Sequence, residues 1–135
     1  MKGNGEHGNN GHLARAILAM GRARTEFDRA KRLKDELDAG QAGEKAWLAV
    51  AGATKALLRL KGIPEHKMPE GYRGEFHMLR QHGGHELAKT YAYLGGVLHT
   101  QAFYRGVVVW DLTQDALGKA DGFVSRVRQM AERRK

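Results

Sequence analysis

Only two prolines interrupt this chain of 135 residues, and this scarcity constrains the fold more than any other feature of the sequence. Pro64 and Pro69 stand close together, so long uninterrupted helices can form on either side of them. On both sides, apolar residues recur at steps of three and four, which is the spacing of an amphipathic helix. The sequence therefore predicts an all-α protein with one substantial loop, around the two prolines.

The first helix is predicted over residues 12–38, because its apolar residues form one continuous stripe. The stripe consists of Leu13, Ile17, Met20, Ala23, Phe27, Ala30, Leu33 and Leu37. Gly40 and Gly43 are predicted to end this helix. Residues 1–11 are rich in glycine and asparagine, so we expect a flexible tail there, followed by a single domain over residues 12–135.

Three more long helices and one short helix complete the predicted fold. The long helices cover residues 41–61, 85–105 and 107–132, and the short helix covers residues 75–81 and ends at a glycine pair. The helix over 41–61 has a wide apolar face rich in alanine, so we expect it to be central. The run VVVW at 107–110 is too short to be a β-strand and has no partner strand. The predicted architecture is an antiparallel up-and-down bundle of four long helices plus one short helix.

The composition excludes several classes of protein. The chain has no cysteine, so it forms no disulfides and has neither thiolate metal sites nor a cysteine nucleophile. No apolar run is long enough to span a membrane, and the first residues do not resemble a secretory signal. We therefore expect a cytoplasmic protein without membrane contact. No motif predicts a cofactor, since no glycine-rich segment has the context of a phosphate-binding loop.

The net charge of +8 favours a polyanionic partner such as a nucleotide or RNA. The densest basic cluster lies on the first predicted helix. It consists of Arg22, Arg24, Arg29, Lys31, Arg32 and Lys34, diluted by Glu26 and Asp28. A solvated helix face explains this cluster as well as a nucleic-acid contact does, so both interpretations stay open.

The segment 91–110, YAYLGGVLHTQAFYRGVVVW, combines the most apolar part of the chain with a histidine. On a helix, His99 and Phe103 share a face, and Tyr104 lies beside them. His99, Phe103, Tyr104 and Arg105 are therefore the predicted binding residues. The alternative is that His99 is a core histidine, packed at a helix contact with its ring neighbours and hydrogen-bonded to a tyrosine hydroxyl.

A second group of histidines surrounds the glycine pair at 83–84. His77, His82 and His85 lie near Glu75 and Glu86, a set of side chains that could bind a metal. The two glycines interrupt the helix that would have to align the ligands, so a solvated turn is favoured and no metal site is predicted.

Two segments carry a resemblance to a known family. GEKAWLAVAGATKALLRLKGI on the second helix and LHTQAFYRG around His99 resemble the archaeal PaREP branch of the HEPN-like superfamily, over residues 27–131. The resemblance implies a helical bundle that forms a homodimer. Some relatives are ribonuclease toxins that use an arginine shortly before a histidine, and others are non-catalytic partners of small nucleotidyltransferases.

The catalytic pair of the ribonuclease relatives is not evident here. Residues 92–94, where the arginine before His99 would fall, are Ala-Tyr-Leu. Arg80 precedes His85 at a similar spacing, but the glycine pair lies between them. We therefore expect a non-catalytic protein that binds a partner protein, a nucleotide or RNA. Two alternatives stay open: a toxin-like, metal-independent endoribonuclease using Arg80 with His85 or using His99, and a structural interaction module.

Overall fold

Helices account for nearly all of residues 3–134, the part of the chain that the computed structural model describes; side chains are described for residues 11–134. In chain order the α-helices are α1 (Gly3–Leu33), α2 (Glu36–Leu60), α3 (Gly71–Gly83), α4 (His85–Leu94) and α5 (Trp110–Arg133). A π-helix (Gly95–Tyr104) continues α4 directly. No strand occurs over this range, and the predicted antiparallel up-and-down bundle is confirmed.

Alanine fills the buried side of α2 and lets the neighbouring helices approach closely. Its fully buried alanines are Ala39, Ala42, Ala46, Ala49, Ala53 and Ala56. Helix α2 packs against α1, α3, α5 and the π-helix, so the prediction of a central second helix is confirmed. Larger side chains from the surrounding helices complete the core: Met20, Phe27, Leu79, Tyr91, Leu94, Leu98, Phe123 and Val127.

The boundary between α1 and α2 lies seven residues earlier than the first glycine that we expected to mark it. Lys34 ends α1 in the left-handed region, with φ of 56°. The amide of Asp35 then donates to the carbonyl of Ala30 (2.9 Å), and that of Lys34 to Lys31 (3.2 Å), which is the Schellman pattern. The Asp35 carboxylate also accepts from the Asp38 amide (3.0 Å) and so caps α2. The predicted continuation of the first helix to residue 38 is wrong, and Leu33 and Leu37 are exposed.

Gly40 and Gly43 lie inside α2 and do not end a helix, contrary to the prediction. A Cβ on Gly40 would stand 2.7 Å from the carbonyl oxygen of Ala102, and one on Gly43 would stand 3.5 Å from that of Leu98. Both glycines are buried against the π-helix. Their role is thus to let two helix backbones come together, which requires the absence of a side chain at Gly40.

The N-terminal end of α1 also differs from the prediction. The helix begins at Gly3, whereas the sequence predicts a start at residue 12. The side chains of residues 1–10 lie outside the described residues, so the expected flexibility of the segment 1–11 stays a prediction. From His12 onward the helix is tied to the loop that contains the prolines, because the His12 ring lies 2.9 Å from the Glu65 carboxylate.

Glycine separates α3 from α4 as the sequence predicts. Gly84 has φ of 100°, a conformation that L-residues rarely adopt, and the chain turns there into α4. Helix α3 is longer than the predicted segment 75–81, because it begins at Gly71. None of the helices in the described residues has the length and apolar character needed to cross a membrane.

The π-helix was not predicted. Its backbone closes with wide turns, such as the bond from the Arg105 amide to the Thr100 carbonyl (2.9 Å). Such helices are rare, and those that do occur often lie at functional sites. Residues 106–109 that follow are irregular, so α5 begins at Trp110 and not at the predicted residue 107. Val109, which lies inside the predicted helix 107–132, is exposed in this connection.

Candidate functional site

His99 projects from the π-helix toward Glu44 on α2. The distance between its Nδ1 and the Glu44 Oε1 is 2.7 Å. A carboxylate can only accept a hydrogen bond, so Nδ1 carries a proton and donates it. This leaves Nε2 on the far side of a half-exposed ring. The hydrogen-bond partner is therefore a glutamate and not the tyrosine hydroxyl that we considered from the sequence.

The aromatic neighbours of His99 lie where the helical spacing predicts them. The Phe103 ring stacks on the imidazole (6.3 Å between centroids, 25° between planes), and the Tyr104 ring meets it edge-on at 6.2 Å. Phe103 and Tyr104 are nevertheless exposed, as is Arg105. The alternative in which these ring neighbours are packed at a helix contact is therefore wrong for Phe103 and Tyr104, because the π-helix ends at the surface and turns them outward.

Arg80 and His85 are not brought together. Arg80 lies in the last turn of α3 and His85 in the first turn of α4, with the break at Gly84 between them. Both side chains are exposed, and no hydrogen bond joins them among the described residues. Their spacing in the sequence therefore does not produce a paired arginine and histidine.

The histidines around this break do not converge on a common point either. Within the described residues, no group of three or more histidine, aspartate or glutamate side chains is placed to hold a metal ion. One member of the sequence cluster, Glu75, is buried and is bonded to Tyr91 instead. The other candidates are divided between two helices: the exposed His77 and the partly exposed His82 lie on α3, and the exposed His85 and Glu86 lie on α4.

A cleft of about 590 Å³ opens between α2, α3, α4 and the π-helix. This cleft was not expected from the sequence. It is lined by Trp47, Leu48, Ala51, Lys55, Gly71, Tyr72, Glu75, Tyr91, Ala92, Gly95, Gly96, His99 and Thr100. The size is that of a small-molecule site, which typically has apolar and aromatic walls and a few polar groups. His99 thus belongs to this cleft, whereas Phe103, Tyr104 and Arg105 do not line it.

A buried glutamate forms the polar part of the cleft. Tyr91 donates a hydrogen bond of 2.6 Å from its hydroxyl to the Glu75 Oε1. The Glu75 Oε2 lies 4.0 Å from Nζ of Lys55. Burial raises the pKa of the Glu75 carboxyl, although the bond from Tyr91 and the charge of Lys55 act in the opposite direction. Burial, together with the bond to Glu75, also raises the pKa of Tyr91, so this phenol stays protonated.

Aromatic rings form the wall beside this glutamate. The Trp47 ring lies 4.8 Å from Tyr91, 6.2 Å from Tyr72 and 6.3 Å from His99, measured between centroids. Gly95 makes the packing feasible, because a Cβ there would stand 3.0 Å from Tyr72 and 3.1 Å from Trp47. Tyr72 is half exposed along the cleft, whereas Tyr91 is fully buried.

A signal for the buried glutamate was present in the sequence. Glu75 and Leu79 are four residues apart on α3 and are both buried, so the carboxylate is in phase with the apolar row of its helix. A charged side chain in such a row predicts a buried polar partner. The partner, Tyr91, lies on the next helix, and only the turn at Gly84 brings the two together.

Over the described residues, these features define the class of the protein: a helical bundle with an aromatic cleft that contains a buried carboxylate. The model of the archaeal PaREP1/PaREP8 family matches residues 19–118, and the chain belongs to this family. The matched range includes every residue that lines the cleft. A comparison with curated proteins gives no match, and neither does a comparison with solved structures.

Proposed function

We propose that the chain is a non-catalytic, HEPN-like helical-bundle protein that works as a homodimer and binds a nucleotide or RNA. The observation that carries the dimer is the concentration of exposed apolar side chains at one end of the bundle. This set, the apolar end, consists of Leu33, Leu37, Phe103, Tyr104, Val107 and Val109. Exposed apolar patches of this kind mark interaction surfaces.

The residues of the apolar end come from different helices that meet at the same place. Gly40, one turn beyond Leu37, contacts the backbone of Ala102 and Phe103. Phe27, near the end of α1, packs on Trp110 at the start of α5 (5.9 Å between centroids). The α1–α2 turn, the end of the π-helix and the start of α5 therefore share one end of the bundle.

The charges beside the apolar end favour a second copy of the chain as its partner. Lys31, Arg32 and Lys34 lie on the α1 side of the turn, and Glu36 and Asp38 lie on the α2 side. A two-fold axis brings the same patch of both subunits together. The basic side of one copy would then face the acidic side of the other, and charge complementarity of this kind favours a specific register.

Light scattering coupled to size-exclusion chromatography tests the dimer. We expect the unaltered protein to elute with twice the mass of the chain, and Leu37→Glu and Tyr104→Glu each to elute as monomers. Leu48→Glu is the matched control, because Leu48 is also an exposed leucine on α2 (57%, against 73% for Leu37) but lies outside the apolar end. A monomeric unaltered protein, or dimers that survive both substitutions, would refute the proposed interface.

The absence of an arginine contact to His99 supports a non-catalytic role over the endoribonuclease alternative. Among the described contacts, the ring is joined to Glu44, Trp47, Phe103 and Tyr104. No guanidinium takes part, and ribonuclease chemistry requires a group that stabilises the phosphate charge. We expect intact RNA after long incubation with the unaltered protein. Cleavage that is lost in His99→Ala or in His85→Ala would establish the enzyme.

The nucleic-acid part of the proposal rests on the net charge of +8. Phosphate contacts release counterions, so the affinity for a single-stranded RNA should fall steeply with added salt. Fluorescence anisotropy of a labelled RNA over a series of salt concentrations measures this slope. Affinity that is undetectable at low salt would favour the structural interaction module instead.

A further inference from the structure

We propose that the cleft between α2, α3, α4 and the π-helix binds a neutral, flat heteroaromatic ring that carries N–H donors, as a nucleobase does. Glu75 would accept from the ring edge, and Trp47, Tyr72 and His99 would contact the ring face. The inference deepens the nucleotide part of the proposed function and does not depend on the dimer, whose residues lie outside the cleft.

The carboxylate of Glu75 has unused capacity to accept hydrogen bonds. A carboxylate offers about four lone-pair sites. Tyr91 occupies one of them, at Oε1. Lys55 stands 4.0 Å from Oε2, beyond hydrogen-bonding distance. The carboxylate is buried yet lines the cleft, so an N–H group of a ligand would relieve part of the desolvation of its charge.

The charges at the floor of the cleft balance each other. Lys55 carries one positive charge close to the single negative charge of Glu75. A free amine would meet the lysine as a like charge, and a free carboxylate would meet the glutamate in the same way. The polar floor therefore favours a neutral group that donates hydrogen bonds over either kind of ion.

The cleft also has an aromatic surface with open space in front of it. The half-exposed Tyr72 and the half-exposed His99 are both in ring contact with Trp47, at 6.2 and 6.3 Å between centroids. Flat aromatic rings stack on such surfaces largely independently of the substituents that they carry. Gly96 lines the same cleft, and a Cβ there would meet nothing within 4 Å, so the entrance beside the π-helix is open.

The chain supplies its own reporter for this site. It has two tryptophans, and Trp110 packs on Phe27 away from the cleft. Trp110→Phe therefore leaves Trp47 as the sole indole, and its emission, excited at the red edge of the band, reports on a ring bound beside it. The two probes are adenosine and N6,N6-dimethyladenosine, which has the same purine ring but no N–H donor on its base.

In this background, we expect adenosine to quench Trp47 saturably and the dimethyl compound to bind at least about tenfold more weakly, the typical effect of losing a hydrogen bond to a charged group. Glu75→Gln should weaken adenosine binding by a similar factor. Gly96→Leu should abolish binding by filling the entrance. Gly118→Leu is its matched control, because Gly118 is an exposed helical glycine on α5 with the same free surroundings, and it should bind normally.

Three results would overturn the inference: no saturable quenching by adenosine, equal binding of the dimethyl compound, or unchanged binding in Gly96→Leu. The Gly96 variant keeps the test decisive even where Glu75→Gln unfolds the bundle. Light scattering on the same samples separates this outcome from the proposed dimer, because a dimer without adenosine binding refutes the cleft alone.

Discussion

The Tyr91 hydroxyl donates a 2.6 Å hydrogen bond to the carboxylate of Glu75, and both side chains are shielded from solvent. The pair joins α4 to α3 across the break at Gly84. Since one partner is a carboxylate, the bond is of the charge-assisted kind, which is stronger than a bond between neutral groups. The same glutamate is the polar group of the cleft, so the bond that stabilises the fold also orients the site.

Removing the phenol should therefore destabilise the protein. We expect Tyr91→Phe to lower the free energy of unfolding by about 1–3 kcal/mol, because Glu75 stays buried without its donor. Urea unfolding followed by circular dichroism measures the loss. Tyr93→Phe is the matched control: Tyr93 bonds Asp115 at the surface (3.1 Å), and its loss should stay within about 0.5 kcal/mol. Equal losses in the two variants would contradict the structural role of the buried pair.

The stability of the protein should depend on pH through Glu75. Burial raises the pKa of this carboxyl in the folded state, so at pH values between the unfolded and the folded pKa the folded protein holds a proton that the unfolded chain has lost. The free energy of unfolding then falls as the pH rises through this range. The unaltered protein should gain stability relative to Glu75→Gln as the pH is lowered from neutrality toward about 4.3, the ordinary pKa of glutamate. If the difference in free energy of unfolding between the two proteins does not change with pH, Glu75 does not cause the pH dependence.

The glycine contact between α2 and the π-helix gives a third prediction. Gly40→Ala should destabilise the protein by about 1–3 kcal/mol, because the new Cβ would stand 2.7 Å from the carbonyl oxygen of Ala102. Gly118→Ala has nothing within 4 Å and should stabilise the protein by about 0.5–1 kcal/mol through helix propensity. Thermal unfolding of the two variants should thus shift in opposite directions. A shift of the unfolding temperature in the same direction in both variants would contradict the close contact between α2 and the π-helix at Gly40.

Lys34 offers a stabilising substitution. Its φ of 56° is strained for a residue with a Cβ, so Lys34→Gly should raise the free energy of unfolding by about 1 kcal/mol. Lys89→Gly is the control, since Lys89 is exposed inside α4, where glycine should cost about 1 kcal/mol instead. Denaturant midpoints of both variants provide the comparison. A Lys34→Gly variant that is less stable than the unaltered protein would contradict the left-handed conformation of Lys34 at the end of α1.

The sequence by itself determined the helical class, the central second helix and the break at Gly84. It also determined that His99 and Phe103 share a face. All of these follow from interactions between residues close in the chain: the spacing of apolar side chains, the small size of alanine and the backbone freedom of glycine. Such local patterns can be read without knowing which helices become neighbours.

Only the tertiary structure decided the rest. Gly40 resembles a helix end in the sequence, but the approach of the π-helix places it inside α2. Lys34 takes a left-handed conformation that its residue type disfavours, because the packing of α1 on α2 fixes the turn there. The spacing of Glu75 and Leu79 on α3 indicates a buried carboxylate, but its partners, Tyr91 on α4 and Lys55 on α2, become its neighbours only in the folded bundle. In each case the deciding energy comes from a partner distant in sequence, and its presence depends on how the whole bundle packs.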